Sequence, residues 1–262
     1  MFMHQSLLSR VVSQALIFIG LAMFTLPLIM IVGASLSGEG VTNYWLILST
    51  TPFAQFLLNS VIVTLTTVAI VIALSLTAAF AIAILRPRGY GVALVTLLAG
   101  MSLPAIALIV PLSYVVQALG LLNTYWAVIV PLSAISTPFG VLVATNYIGG
   151  LPIELWEAAR LDGAGVWAYF SRILIPMCLP IIAVIAIFTF LAAWNEYLLP
   201  LVFIQDTGTQ VLTQVPTYFQ SQRLVDTPKV FAANVLISIP VVVTYVVLQK
   251  TFRRGMSAGA VK

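Results

Sequence analysis

Charged residues are scarce in this chain: Asp, Glu, Lys and Arg make up 7% of its 262 residues, whereas hydrophobic residues make up 61%. Soluble domains carry about 25% charged residues. The chain also has a single cysteine, Cys178, and a single histidine, His4. These counts exclude an internal disulfide and leave too few ligands for a Cys/His metal site. The composition therefore indicates a membrane protein with no disulfide framework and no structural zinc site.

Two functional classes lack their sequence signals. The eleven Lys and Arg residues give a formal net charge of +4, but they are scattered and form no basic patch with interleaved aromatic residues. We therefore expect no nucleic-acid partner. The sequence also contains no G-x-x-x-x-G-K-[ST] motif, so the chain has no phosphate-binding loop of its own. We expect no catalytic residues, no metal site and no cofactor in this chain, and ATP hydrolysis must belong to another polypeptide.

Long apolar runs, separated by short polar segments, dominate the sequence. A membrane-spanning helix needs about 20 mostly apolar residues. The run from Gly89 to Ile153 is long enough for two spans, and Gly120 and Asn123 supply the turn between them. We therefore predict an all-α membrane protein with a single transmembrane domain over residues 1–262. Its six or so transmembrane helices are expected at residues 11–34, 56–84, 91–117, 125–147, 180–201 and 230–249.

The distribution of positive charge predicts the orientation of these spans. Six spans place every Lys and Arg except Arg223 and Lys229 on one side of the membrane. The positive-inside rule makes that side cytoplasmic, so both termini are expected in the cytoplasm. The first apolar run is longer than the hydrophobic region of a signal peptide, and we expect it to be retained.

A polar loop, residues 149–179, interrupts the apolar sequence between the fourth and fifth spans. Glu154 and Glu157 favour the N-terminal end of a helix and Gly163 can end one, so we predict a cytoplasmic helix at Pro152–Asp162. A helix of this length is marginal alone in water and must pack on something. It either docks on a partner protein or lies on the lipid headgroups as an interfacial helix.

The residues of this loop resemble a known motif. Glu157-Ala158-Ala159, followed by Asp162-Gly163-Ala164 and then by Phe170, Ile173, Pro176 and Pro180, is similar to the EAA loop of permease subunits in binding-protein-dependent ABC importers. Three further segments resemble the carbohydrate-uptake branch of that family, specifically the six-span subunit of the maltose type. They are GLLNTYWAVIVP (120–131), WNEYLLPLVF (194–203) and RRGMSAGAVK (253–262).

This resemblance implies a permease subunit that translocates a sugar or related solute across the cytoplasmic membrane of a prokaryote. It implies three partners besides membrane lipid: a second permease chain that is usually different but homologous, two copies of an ATPase subunit that bind ATP and Mg²⁺, and an extracytoplasmic solute-binding protein. The predicted loop helix then couples the chain to the ATPase. The resemblance assigns this contact to Glu157, Ala158, Ala159, Arg160, Asp162 and Gly163.

A path for sugars needs hydrogen-bonding and aromatic side chains at positions that water can reach. The candidates in or near the spans are Asn59, Ser60, Thr64, Asn146, Trp194, Asn195, Glu196 and Asn234. Each has a structural alternative, because hydroxyls in membrane helices commonly bond to backbone and Glu196 can bond to its neighbours at a helix end. An ion-gradient-driven secondary transporter is the alternative function, in which Glu196 is the intramembrane ionisable residue.

Overall fold

The computed structural model describes residues 7–221 and 225–259, and this part of the chain is almost entirely helical. The described residues form no β-sheet, and a single isolated bridge joins Gln220 to Val225. The predicted all-α fold class is therefore confirmed. The helices are α1 (Leu7–Ser35), α2 (Thr42–Thr50), α3 (Phe53–Phe80, continued by a π-helical segment at Ala81–Leu85), α4 (Tyr90–Gly100), α5 (Ala105–Ala118), α6 (Trp126–Gly149), α7 (Glu154–Leu161), α8 (Val166–Tyr169, continued by a π-helical segment at Phe170–Leu174), α9 (Ile175–Met177), α10 (Leu179–Trp194), α11 (Leu198–Phe203), a 3₁₀ helix (Leu212–Phe219) and α12 (Thr227–Gly259).

Between four and six of these elements are long and apolar enough to cross a membrane. Four are single stretches: Val12–Ser35, Phe53–Leu85, Trp126–Gly149 and Thr227–Val246. Two more are bent pairs, α4 with α5 and the α8–α9 stretch with α10. The described residues thus hold enough apolar helix for the six predicted spans. The orientation with both termini in the cytoplasm stays a prediction, and Arg223 and Lys262, which it uses, lie outside the described residues.

The bent pairs differ from the straight spans that the sequence suggested. In place of one helix over residues 91–117, α4 and α5 meet at 103°. Pro104, which precedes α5, has an extended backbone, and a proline pushes the residue before it out of the helical region. Within the expected span 180–201, α10 ends at Trp194 and α11 begins only at Leu198.

The described residues divide into two compact units, and the smaller one comprises residues 7–53 with Val215–Ile239. Buried Asn43 organises its loop, because the side-chain Nδ2 donates to the carbonyl oxygens of Ser35 and Ser37 at 2.9 Å each. Lys229 Nζ lies 2.7 Å from Asp226 Oδ2 and 3.8 Å from Glu39 Oε1. The hydrogen bond from Lys229 lowers the pKa of the Asp226 carboxyl group.

The larger unit comprises Ala54–Gln214 with the chain from Pro240 onward, and it contains all the candidate site residues except Asn234. Two apolar clusters form its core. One surrounds Phe80, Tyr169 and Leu174, and the other surrounds Val63, Ala127 and Phe203. Between the clusters α3 and α6 approach so closely that a Cβ atom on Gly140 would lie 2.1 Å from Ser75 Oγ. Glycine at residue 140 therefore permits this helix contact.

Candidate functional site

Helix α7 in the polar loop has charges that suit its ends. Glu154 and Glu157 lie in the first turn and Arg160 lies in the last turn, as the helix dipole favours. The helix runs from Glu154 to Leu161, somewhat shorter than the predicted Pro152–Asp162, because the residues at both ends are caps. Amphipathic sequence and end charges thus define a short rigid helix in this loop.

Gly163 ends α7 in the left-handed conformation, with φ of 79°. The Gly163 amide donates to the Arg160 carbonyl at 3.1 Å and the Ala164 amide donates to the Ala159 carbonyl at 2.9 Å. This pair of bonds is a Schellman motif, which satisfies carbonyl groups at the helix end. A Cβ atom on Gly163 would meet nothing within 4 Å in the described part of the chain. Glycine is therefore favoured here by the backbone angle, as the sequence predicted for the residue that ends this helix.

The two faces of α7 have different surroundings. Ala159 is buried, and half-buried Trp156 packs against the apolar cluster around Phe80 and Tyr169. The other predicted coupling residues are exposed, and Leu161 is 90% exposed. They are Glu157, Ala158, Arg160, Asp162 and Gly163. The structure thus brings these five residues together on one accessible surface and turns Ala159 inward.

The charged groups of this surface are available to a partner. Within residues 7–221 and 225–259, neither Glu157 nor Arg160 nor Asp162 forms an ion pair. Arg160 has one recorded contact: its guanidinium carbon lies 5.8 Å from the centre of the Trp156 ring. That distance permits a cation–π interaction that orients the arginine along the helix. The surface therefore offers two carboxylates, one guanidinium and an apolar leucine side chain.

Asn59, a predicted path residue, instead holds a segment of chain. Its Nδ2 donates to the carbonyl oxygens of Gly208 at 3.1 Å and Gln210 at 2.7 Å. Its Oδ1 accepts a hydrogen bond from the Tyr125 hydroxyl at 2.8 Å. The residue is 2% exposed and both amide hydrogens are used. We therefore reinterpret Asn59 as a residue that fixes the segment 205–214, here called the outer segment.

Other polar residues hold the same segment, and the sequence analysis assigned them no such role. Asn123 has a positive φ of 61°, and its Oδ1 accepts from the amides of Gln205 and Asp206 at 2.7 and 3.0 Å. Ser60 Oγ accepts from the Leu212 amide at 2.7 Å. The signal for Asn123 was present, because asparagine tolerates left-handed backbone and bonds to nearby amides. Its partner, 82 residues away, is set by tertiary structure.

Glu196 lies where the chain passes from α10 to α11. Its Oε1 accepts a hydrogen bond from the Leu199 amide at 3.0 Å, which satisfies a free donor in the first turn of α11. Its carbonyl oxygen accepts a bond from the Thr213 hydroxyl at 2.8 Å. The structural alternative for Glu196, a helix-end residue bonded to its neighbours, is therefore present in the structure.

The remaining path candidates have different surroundings. Trp194 is buried and stacks on Phe190 with ring centres 5.6 Å apart. Asn195 is exposed and donates from Nδ2 to the Leu191 carbonyl at 2.8 Å. Asn146 is exposed on α6, and Asn234 is exposed on α12 in the smaller unit. A role for any of these residues in a solute path stays a prediction.

Neither of two cavities in the larger unit fits a sugar. The first, of about 10 Å³, lies among Ser60, Thr64, Trp194, Glu196 and Thr213, and such a volume holds about one water molecule. The second, of about 340 Å³, has an apolar lining that includes Met101, Leu112 and Ile135. A sugar site needs several convergent polar groups, which this lining does not supply.

Comparison with known proteins decides the family. The family model described as "Binding-protein-dependent transport system inner membrane component" matches residues 74–258, which include α7 and the whole polar loop. The chain belongs to this family. This match confirms the resemblance inferred from the EAA-like residues. The ion-gradient-driven carrier loses its support, because it depended on Glu196 as an intramembrane ionisable residue and Glu196 instead accepts a hydrogen bond from the Leu199 amide.

Two relatives and one solved structure are similar over most of this inner-membrane component. It is 34% identical over 223 residues to the diacetylchitobiose uptake system permease protein NgcG of Streptomyces coelicolor, covering 84% of this chain and 73% of that protein. It is 31% identical over 222 residues to the sulfoquinovosyl glycerol transport system permease protein SmoH of Agrobacterium fabrum, covering 85% of this chain and 78% of that protein. A chain in the crystal structure of a bacterial ABC transporter that imports alginate matches with a TM-score of 0.81 and 22% identity, covering 96% of this chain and 100% of that chain. That likeness confirms the fold.

Proposed function

We propose that this inner-membrane component is the permease subunit of an ATP-driven importer for a sugar or related solute. The relatives NgcG and SmoH are named for diacetylchitobiose and sulfoquinovosyl glycerol, both of which carry sugar units. The importer comprises a second, homologous permease chain, two ATPase subunits that bind ATP and Mg²⁺, and an extracytoplasmic solute-binding protein. It lies in the cytoplasmic membrane of a prokaryote with both termini of this chain inside.

The observation that carries the proposal is the division of α7 into a packed face and an open one. Leu161 is 90% exposed beside Glu157 and Asp162. Together with Ile153 and Leu155, which are 44% and 36% exposed, Leu161 adds apolar area to a charged helix, and exposed apolar area rimmed by polar residues favours a partner. A helix lying on lipid headgroups is less favourable, because the cytoplasmic leaflet is anionic and repels two carboxylates. Docking in a protein cleft is therefore the better interpretation of α7.

The chemistry of the open face defines what the ATPase must supply. Glu157 is expected to accept charge-assisted hydrogen bonds from an arginine or lysine of the ATPase. Ala158 permits close approach of the two backbones, and Gly163 fixes the direction in which the chain leaves the cleft. When the ATPase subunits close on ATP, α7 moves with them and drives the change in access of the solute path. The permease carries out no covalent step.

Neither of the two cavities described in the larger unit fits a sugar. We therefore expect the solute path between this chain and the second permease chain. Among the path candidates, Asn146 and Asn195 are exposed and Trp194 and Glu196 lie beside the small cavity. They remain the residues to test in a two-chain path. Asn59 is assigned to the outer segment instead.

The test is affinity purification of the tagged chain from native membranes in mild detergent, with mass spectrometry of the proteins that accompany it. The variants are Glu157→Lys and, as a matched control, Asp206→Lys, which reverses an exposed carboxylate in the outer segment. Wild type and Asp206→Lys are expected to bring an ATPase and a second permease chain, and Glu157→Lys to lose the ATPase at least tenfold. Recovery of the chain alone, under conditions that preserve a known importer, would contradict the proposal.

The solute class has its own test. The importer is reconstituted in liposomes with its binding protein, and uptake of labelled diacetylchitobiose, melibiose and glycerol is measured with and without enclosed ATP. ATP-dependent uptake of at least one disaccharide is expected. Glu157→Lys and Gly163→Asp should abolish uptake while the chain still inserts in the membrane. Uptake that follows an ion gradient and ignores ATP would overturn the importer.

A further inference from the structure

The polar loop is attached to the rest of the larger unit through four aromatic rings, here called the aromatic block: Phe80, Trp156, Tyr169 and Phe170. Trp156 lies edge-on to Tyr169 with ring centres 4.8 Å apart, and edge-on to Phe80 at 6.1 Å. Phe80 also lies 6.1 Å from Tyr169 and 5.3 Å from Phe170. These distances are those of favourable aromatic pairs. The block thus joins three elements: the end of α3, helix α7, and the α8 stretch.

The four rings of the block differ in their burial and in the element to which they belong. Phe80, Tyr169 and Phe170 are at most 5% exposed, so these three rings form a closed base. Trp156 is half-buried and is the one member that belongs to α7 itself. Because dense packing resists compression, a displacement of Trp156 is passed to the rings beneath it.

The backbone offers a softer connection at both ends of α7. Gly149 and Gly150 precede it, and Gly163 and Gly165 follow it. Gly163 is fixed by the Schellman motif, but Gly150 and Gly165 restrict the chain less than any other residue would, so the backbone links are softer than the side-chain contacts. Trp156 and Ala159 are then the side chains through which α7 holds its position on the larger unit. Ala159 has only a methyl group, which leaves Trp156 as the principal contact.

Two π-helical segments begin beside the block. One covers Ala81–Leu85, directly after Phe80, and the Arg86 amide closes it with a bond to the Ala81 carbonyl at 2.8 Å. The other covers Phe170–Leu174, where the Ile175 amide bonds to the Phe170 carbonyl. Such wider turns are uncommon within helices and mark places where a helix departs from regular geometry, often at functional sites. Both irregular turns therefore lie where movement of the block would reach a long helix.

We propose that Trp156 is a positioning residue that transfers the movement of α7 through Phe80 to the end of α3, with the two π-helical segments as the places where the helices yield. The inference rests on the proposed function, because an ATPase must move α7. Trp156 contacts neither solute nor nucleotide in this account. Its role is to make α7 and the end of α3 move as one body.

Distance measurements by pulsed electron paramagnetic resonance test this directly. One pair of spin labels joins position 155 on α7, away from the docking residues, to position 85 at the end of the first π-helical segment, both exposed. The second pair joins position 85 to position 130 on α6, also exposed. The chain with only its buried Cys178 reports background labelling. Distances are compared without nucleotide and after trapping the assembled importer with ATP and vanadate.

In the wild-type importer, trapping should leave the 155–85 distance unchanged and shift the 85–130 distance. In Trp156→Leu the pattern should reverse, because α7 moves without the end of α3, and solute uptake should fall at least tenfold while ATP hydrolysis stays within about twofold. Phe80→Leu, which breaks the same contact from the other side, should give the same reversal. Trp156→Phe should restore the wild-type pattern. The control is Val166→Ala, an exposed apolar residue of the same loop outside the aromatic block, which should behave as wild type.

Three results would overturn the inference. Trp156→Leu and Phe80→Leu importers that show wild-type distances would exclude transfer through the block. Loss of the ATPase from purified Trp156→Leu would make Trp156 part of the docking surface instead. If no ATPase accompanies the wild-type chain, the proposed function itself fails and this inference fails with it, and that result is separable because it needs no variant.

Discussion

The polar loop and the outer segment are attached to the same helical unit by opposite kinds of contact. Helix α7 rests on aromatic rings and leaves its charged groups exposed. The outer segment, residues 205–214, is held by directional hydrogen bonds that Asn59 donates and that Asn123 and Ser60 accept. Dense apolar packing resists compression but sets no preferred direction between the groups in contact, whereas hydrogen bonds lose their strength as their angles change. The loop is thus built to move as a body and the outer segment to keep one backbone conformation.

The largest effect is expected from removing the hydrogen bonds of Asn59. Asn59→Leu removes this partner from the Gln210 carbonyl and the Tyr125 hydroxyl, whereas the exposed Gly208 carbonyl still accepts from Gln55 Nε2 at 2.9 Å. Each unsatisfied buried group costs about 1 to 3 kcal/mol, so the folded state should lose on the order of 3 kcal/mol. Thermal unfolding in detergent measures the loss.

Asn195→Leu is the matched control for this change. Asn195 is exposed and its side chain bonds only within its own helix, so far as the described residues show, and its replacement should cost below about 0.5 kcal/mol. Equal destabilisation of the two variants would mean that the outer segment is not held by Asn59.

A second change tests the helix contact on which both regions depend. Helix α3 carries Asn59 near one end and Phe80 at the other, and it meets α6 at Ser75 and Gly140. Gly140→Ala places a Cβ atom 2.1 Å from Ser75 Oγ and 3.0 Å from Ser75 Cβ. Overpacking of this kind costs about 1 to 3 kcal/mol, and the melting temperature should fall accordingly.

Two further variants control the Gly140 experiment. Ser75→Gly removes both clashing atoms and should rescue Gly140→Ala in the double variant. Gly91→Ala, on α4, meets nothing within 4 Å and should be neutral or slightly stabilising. A double variant as unstable as Gly140→Ala alone would show that the two residues do not limit this contact.

Smaller effects are expected at the end of α7. Gly163→Ala forces a side chain into the left-handed region and should destabilise the Schellman motif by about 1 kcal/mol. The ATPase should then bind about fivefold more weakly, as titration of the purified permease with ATPase would show. Gly165→Ala is the control, because Gly165 has φ of −71° and open space around it. The idea fails if both alanine variants bind the ATPase equally.

The smallest effect concerns the partly buried pair Asp226 and Lys229. Because the hydrogen bond from Lys229 lowers the pKa of Asp226, the pair stabilises the folded state above the unfolded carboxyl pKa, about 3.9. That contribution is lost as the pH falls through the lower pKa of the folded state. Asp226→Asn should reduce stability at pH 7 by less than about 1 kcal/mol and should match wild type near pH 2. A difference between them that persists at pH 2 would assign another role to Asp226.

The sequence predicted the polar loop better than the outer segment, and the reason is physical. The helix in the loop follows from local signals: carboxylates in its first turn and a glycine at its end. The roles of Asn59 and Trp156 depend on partners that are distant in the chain, such as Gln210 and Phe80. Pro104 was the only sequence signal of the bend between α4 and α5, and a proline is also compatible with a single span that has a small kink. The sequence therefore predicted features set by neighbouring residues, such as the ends of α7. It did not predict contacts between residues that are distant in the chain.

The central claim is that the open face of α7 contacts an ATPase, and site-specific photocrosslinking in native membranes tests it most directly. Position 161, which is 90% exposed at the end of α7, receives p-benzoylphenylalanine, and position 206 in the outer segment receives it as the control. Irradiation should join position 161 to an ATP-binding subunit and position 206 to no such subunit. Crosslinks from position 161 to lipid alone would contradict the account and identify α7 as an interfacial helix.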